Sequence, residues 1–161
     1  MPTRAILWGW NSLMTRSLIF LGLAAAVVSG LAVTMRMIPM PAKVWHVDPA
    51  DVTPPSTPNY VLMRGEGARI RKGNVADVST MIDRTARSEG AQLIGGSVEK
   101  GHMTYVARTR IMGFPDAVSI KITPAGEGQV RIEVFSRSRF GYSDMGVNNA
   151  RVARWLERLS P

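Results

Sequence analysis

At 161 residues, with a formal net charge of +8 and no cysteine, the chain has room for one domain and an appendage. The missing cysteines exclude disulfides, thiolate metal sites and cysteine nucleophiles. His46 and His102 are the only two imidazoles, so a histidine-rich metal centre is disfavoured; no metal and no cofactor are expected. From Asn59 onward, 16 Lys and Arg face 10 Asp and Glu, a surplus that favours anionic partners such as lipid headgroups, nucleic acid or acidic metabolites.

Ser17 to Met35 is an uncharged stretch of 19 residues between Arg16 and Arg36. As a helix it would span about 28 Å, close to the ~30 Å hydrocarbon core of a bilayer. Its central run, Leu18 to Val28, is apolar on every face, so no amphipathic stripe is present. Gly22, Ala26 and Gly30 recur every four positions, a spacing that suits helix packing but is also ordinary within a membrane span. Gly30-Leu31-Ala32 loosely fits a signal-peptidase site, yet sixteen residues precede the apolar run, which favours an uncleaved anchor. Arg4 and Arg16 on one side nearly balance Arg36 and Lys43 on the other. The slight bias favours a cytoplasmic N-terminus and an exported (periplasmic) domain. Trp8 and Trp10, in a segment too short to span, suit the membrane interface.

Six prolines follow between Pro39 and Pro58, predicting a semi-rigid, mostly exposed polyproline-like stalk. Val44, Trp45, Val47 and Val52 are its apolar residues, able to dock on the domain or the bilayer, and His46 reads as a solvated loop histidine. The organisation is thus an anchor over 1–38 with its helix at about 17–35, a stalk over 39–58 and a domain over 59–161.

Within the domain, Val75, Val78, Met81, Ile82 and Ala86 fall at helical spacing, with Asn74 placed to cap the start and Gly90 the end. Strands are predicted at Gln92 to Val98, Met103 to Ile111, around Val118-Ile120-Ile122 and around Val130-Ile132-Val134, where apolar and polar residues alternate. Gly101, the Gly113-Phe114-Pro115-Asp116 corner and Pro124 to Gly128 supply the turns. No crossover helices separate these strands, so the sheet should be antiparallel. A last helix runs from about Val147 to Leu159, with Val152, Trp155, Leu156 and Leu159 on one face and Arg151, Arg154 and Arg158 on a basic ridge. The fold class is α+β: an N-terminal transmembrane helix, then about four antiparallel strands with two helices covering one face.

The densest signal is Ser136-Arg137-Ser138-Arg139-Phe140-Gly141-Tyr142-Ser143-Asp144-Met145-Gly146-Val147-Asn148-Asn149-Ala150-Arg151. With Gly113-Phe114-Pro115-Asp116, it resembles the family catalogued as domain of unknown function 1499, across about residues 59–161. That resemblance implies a membrane segment upstream and supplies no activity. Members often carry a second acid after the Phe-Pro-Asp corner, where this chain has Ala117, and many have cysteine where it has Tyr60. Any mechanism built on those two positions is weakened here.

Two accounts fit the segment. In one, the loop and the helix N-terminus attract an anion. Arg137, Arg139 and Arg151 donate to it, and Ser136, Ser138, Ser143, Asp144 and Asn148 complete the pocket. In the other, Asp144 caps the helix and pairs with an arginine in a buried network. Strand alternation would put Arg137 and Arg139 on one face and Ser136 and Ser138 on the other. A serine hydrolase assembled from His102, an aspartate and one of these serines lacks a Gly-x-Ser-x-Gly elbow, and Gly95-Gly96 lacks the Lys-Ser/Thr of a phosphate loop. Nucleic acid is disfavoured by the tether and by the absence of a binding motif. The expected function is a membrane-anchored, non-enzymatic domain that binds an anionic ligand, a lipid headgroup or an envelope partner. Assembly of a membrane complex, through a membrane-protein partner, is the alternative; an enzyme with an unrecognised site is the third.

Overall fold

The computed structural model describes residues 4–159, with side chains from Met14 onward. Helix α1 (Arg4–Met37) is longer than the apolar run at its centre, because Ile6 to Trp10 continues the same helix. The Trp8 and Trp10 side chains lie outside the described residues. Its 24 residues from Met14 to Met37 are long and apolar enough to cross a membrane, and the domain buries none of the most apolar window.

The domain is one antiparallel sheet with two helices on one face. Six strands form it: β1 (Tyr60–Met63), β2 (Arg69–Lys72), β3 (Gln92–Ser97), β4 (His102–Arg108), β5 (Pro115–Pro124) and β6 (Gln129–Ser138). Their order is β1-β6-β5-β4-β3, and β2 shares the β6 edge with β1. Tyr60 to Met63 pair with Arg137 to Val134, and Arg69 to Lys72 pair with Ile132 to Gln129. These two short strands raise the count from the expected four. Their four-residue lengths leave no room for a visible alternation, and β6 supplies their register.

Helix α3 (Val75–Ser88) starts where Asn74 accepts a hydrogen bond from the Asp77 N–H. It ends as predicted at Gly90, whose φ of +80° lets its own N–H reach Arg87 O while the Ala91 N–H reaches Ala86 O. Helix α4 (Val147–Glu157) lies beside it. Between helices and sheet sit Val78, Ile82 and Ala86 of α3, alternate residues of β4, β5 and β6, and Val152, Trp155 and Leu159. Trp155 meets Tyr105 edge to face, with ring centroids 5.8 Å apart.

The other face of the sheet is covered by the proline-rich segment. A single helical turn, α2 (Ala42–Trp45), interrupts it. Met40 is buried against Val106 and Ala117, flanked by Trp45 and Ile94. The stalk is therefore not a free spacer: its first half lies along the sheet as a second cover.

Candidate functional site

Asp116, beside the Gly113 corner, and Arg151, on α4, form a buried ion pair. The Arg151 Nη2 donates to Asp116 Oδ2 at 2.8 Å, and the two side chains are 7% and 3% exposed. The rest of the cluster saturates them. Ser138 donates to the other Asp116 oxygen at 2.7 Å, Asn148 donates to Ser138 at 3.0 Å, and Asn148 Oδ1 accepts from both Ser136 and Arg151. Asn59 extends the network by donating to Gly141 O at 2.6 Å, which pins the loop before α4. The partner of Arg151 is thus Asp116 rather than Asp144. Asp144 instead caps α4, accepting the N–H groups of Asn148 and Gly146. Burial works to raise its carboxyl, and those donors outweigh it and hold it below the usual range. Ser143 accepts from the Met145 N–H within the same turn.

Ser136, Ser138, Asn148 and Arg151 therefore meet on the helix side, while Arg137 and Arg139 point through the opposite face, as strand alternation predicted. The three arginines do not converge. Together with Arg108, the second pair of guanidinium groups grips main-chain carbonyls of the incoming segment. Arg108 donates to Met35 O at 2.7 Å and Ile38 O at 2.8 Å, Arg139 to Pro39 O, and Arg137 to Val44 O. Arg137 also sits over the rings of Trp45 and Phe135, at 4.6 and 5.0 Å. Ala117 lies fully buried on this face, beneath Met40, so a second acid there would face the stalk and not the Asp116–Arg151 pair.

His46 is part of this clasp and not a solvated histidine. Its ring stacks on His102 with centroids 4.1 Å apart, and its Nδ1 lies 2.8 Å from Thr104 Oγ1. His102 Nε2 contacts Val47 O, and Lys121 pairs with Asp48. Gly95 makes the approach feasible, since a Cβ there would come within 2.8 Å of the His46 ring. His102 occupies the stalk face of β4, whereas Ser136 and Ser138 occupy the helix face of β6; the sheet separates any histidine base from those serines.

Burial, and then the neighbouring His102, lower the His46 pKa from its ordinary 6.5, against an opposing pull from Asp48. The folded state therefore binds fewer protons there than the unfolded chain. The clasp's stability should be fully present above about pH 6.5 and fall as the pH drops through that value toward the lower folded pKa. Stability against urea, followed from pH 8 to pH 5, should decline in this window and flatten in His46→Gln. The Asp48 carboxyl, held low by Lys121 against its burial, acts in a separate window below its own unfolded pKa.

Two clefts open at the end of the sheet where α1 joins. The larger, about 740 Å³, lies between the loop 109–114 and α4, with Arg108, Arg110, Arg151, Arg154, Arg158 and Glu89 on its walls. Arg154 and Arg158 share Glu89, at 3.1 and 3.7 Å, and close one side of this cleft while staying half exposed, whereas Arg151 leaves the basic ridge for its buried pair. The smaller, about 230 Å³, lies between loops 109–114 and 139–146, with Phe114, Phe140 and Met145 above Asp116, Ser138 and Asp144. Both carboxylates in it are already committed, to Arg151 and to the α4 cap, so neither is a free base. Sequence reasoning missed Arg108, Arg110, Arg154 and Arg158 as a set, because the 109–114 loop and α4 come together only in the fold. No group of three or more His, Cys, Asp or Glu suited to a metal ion occurs among the described residues.

No curated protein matches the chain. Among solved structures, it is similar to the adenylate sensor of AMP-activated protein kinase, solved with 5-aminoimidazole-4-carboxamide 1-β-D-ribofuranotide. Identity is 10%, the TM-score is 0.45, and the match covers 56% of this chain and 93% of that one, a likeness too distant to bear on fold or ligand. The family model described as protein of unknown function (DUF1499) matches residues 48–159, starting at Asp48 of the clasp and ending within the Arg158-Leu159 close of α4. With the Phe-Pro-Asp corner, the Ser-Arg strand and the capped Asn-Arg helix all inside that span, the chain belongs to the DUF1499 family.

Proposed function

We propose that this chain is a membrane-anchored, non-enzymatic binding domain whose ligand is anionic and lies in the larger cleft. The observation that supports this reading is the charge of the cleft walls. Beyond the Arg151–Asp116 pair, and with the Arg108 guanidinium turned to the carbonyls of Met35 and Ile38, Arg110, Arg154 and Arg158 face a single carboxylate, Glu89. Ile111, Phe114, Val147 and Trp155 supply apolar wall between them, a mixture that suits a phosphate attached to an apolar body. The Ser136–Arg151 network then acts as the frame that fixes α4 under the cleft, and of the residues expected from the sequence to form an anion pocket only Arg151 lines it.

The test is thermal unfolding of the full chain in neutral detergent with inorganic phosphate or short-chain phosphatidylglycerol. A ligand of the native state at 100 times its Kd adds about 2.7 kcal/mol of stability, so the melting temperature should climb with concentration. The climb should vanish in Arg110→Ser and Arg154→Ser and persist in Arg69→Ser, on the far edge strand. A flat response to both probes, or one equal in all variants, removes the cleft as an anion site.

A further inference from the structure

The domain exposes large apolar side chains in one place. After Asn59, every exposed large hydrophobic residue except Ile70 belongs to loop 109–114, to the loop before α4 or to the first residue of α4. Met145 is 94% exposed, Ile111 81% and Tyr142 74%, with Phe114 and Phe140 about half as open at 39% and 40%. Met145 also holds a left-handed backbone (φ +51°), a position that costs a non-glycine residue energy and that brings its side chain no cover. The opposite end of the sheet, at turns 98–101 and 125–128, carries Glu99, Lys100 and Glu127 instead.

This apolar end is fastened to the membrane helix. Arg36, one residue from the end of α1, donates to Arg110 O at 2.7 Å and Ile111 O at 2.9 Å. It lies so close over Gly113 that a Cβ there would come within 2.4 Å of Arg36 Cγ. The apolar stretch of 24 residues is about 36 Å long as a helix, a little more than a ~30 Å hydrocarbon core. With α1 inserted, Arg36 stands at headgroup depth, and the loop it holds stands there too.

We infer that the domain sits on the bilayer by this end. The tips Ile111, Tyr142 and Met145 enter the interface, and Arg36, Arg110 and Arg154 meet anionic headgroups around them. Arg110, Ile111 and Arg154 also line the anion cleft, but the seating is carried by the apolar patch and the α1 junction and is read by label depth, so a cleft that binds no free phosphate leaves it standing.

Because the chain has no cysteine, single-cysteine variants label cleanly. Full chain carrying Ile111→Cys, Tyr142→Cys, Met145→Cys or, at the far end, Lys100→Cys would take an environment-sensitive fluorophore. Each is then reconstituted in vesicles of phosphatidylcholine and phosphatidylglycerol. The three loop labels should be blue-shifted and quenched several-fold more by nitroxide lipids than the label at position 100, which aqueous iodide should quench. Adding Ile111→Asp with Met145→Asp should return the Tyr142→Cys label to the iodide-accessible phase while leaving circular dichroism unchanged. Loop labels open to iodide, labels shielded from both quenchers by a protein partner or a second copy, or a depth indifferent to the two aspartates would each overturn the seating.

Discussion

Arg151→Ala should destabilise the domain by about 3–5 kcal/mol, the usual loss when one member of a buried ion pair is removed. The Asp116 carboxylate is 3% exposed and would keep only the Ser138 hydroxyl as a partner. Asn148 would lose a donor while still holding Ser136, so the loop-to-α4 junction loosens as well. The double variant Asp116→Ala, Arg151→Ala should cost less than the sum of the two single changes, because no uncompensated charge is left inside. Urea unfolding of the detergent-solubilised chain, followed by tryptophan fluorescence, measures both. A loss in Arg151→Ala below about 1 kcal/mol would put the pair in the class of solvated surface bridges and undo its role as a frame.

Trp155→Ala should cost a similar amount, about 3–5 kcal/mol, from lost apolar burial and an unfilled cavity. Trp155 is 1% exposed, packs edge to face on Tyr105 and donates from Nε1 to Glu89 at 3.1 Å. The aromatic pair alone accounts for about 0.5–1.5 kcal/mol. Trp155→Phe should lose less, since it keeps a ring against Tyr105 and gives up mainly the bond to Glu89, which retains Arg154 and Arg158. Because Trp155 is itself a fluorescent reporter, circular dichroism is the suitable readout. Equal losses in the two variants would mean that the Glu89 bond, and not the packing, dominates at this position.

The parts of the fold that could be read in the sequence are those governed by side-chain periodicity. Alternation located β4, β5 and β6, and the Asn74 and Gly90 caps bounded α3, because caps and pleats impose residue types. Alternation also separated Arg137 and Arg139 from Ser136 and Ser138. What escaped was held by main-chain acceptors. The carbonyls of Met35, Ile38, Pro39 and Val44, which receive Arg108, Arg139 and Arg137 from 70 to 100 residues away, carry no signature of residue type. One signal was present: Tyr105-Val106-Ala107 and Val134-Phe135 are consecutive apolar residues, and a strand buried on both faces needs a second cover. The Asp116–Arg151 pair escaped for a similar reason. Its members lie 35 residues apart, while Asp144 stood much nearer in sequence to Arg151.

The folded-back stalk changes what the domain can meet. Twenty proline-rich residues run out straight would carry a domain about 60 Å from its anchor. With residues 38–48 clasped to the sheet by Arg108, Arg139 and the His46–His102 stack, that reach is withdrawn. When α1 is in a bilayer, the domain sweeps a thin layer beside it, so encounters with other membrane components become two-dimensional and lateral. A molecule free in the adjoining compartment must come down to the surface to find it.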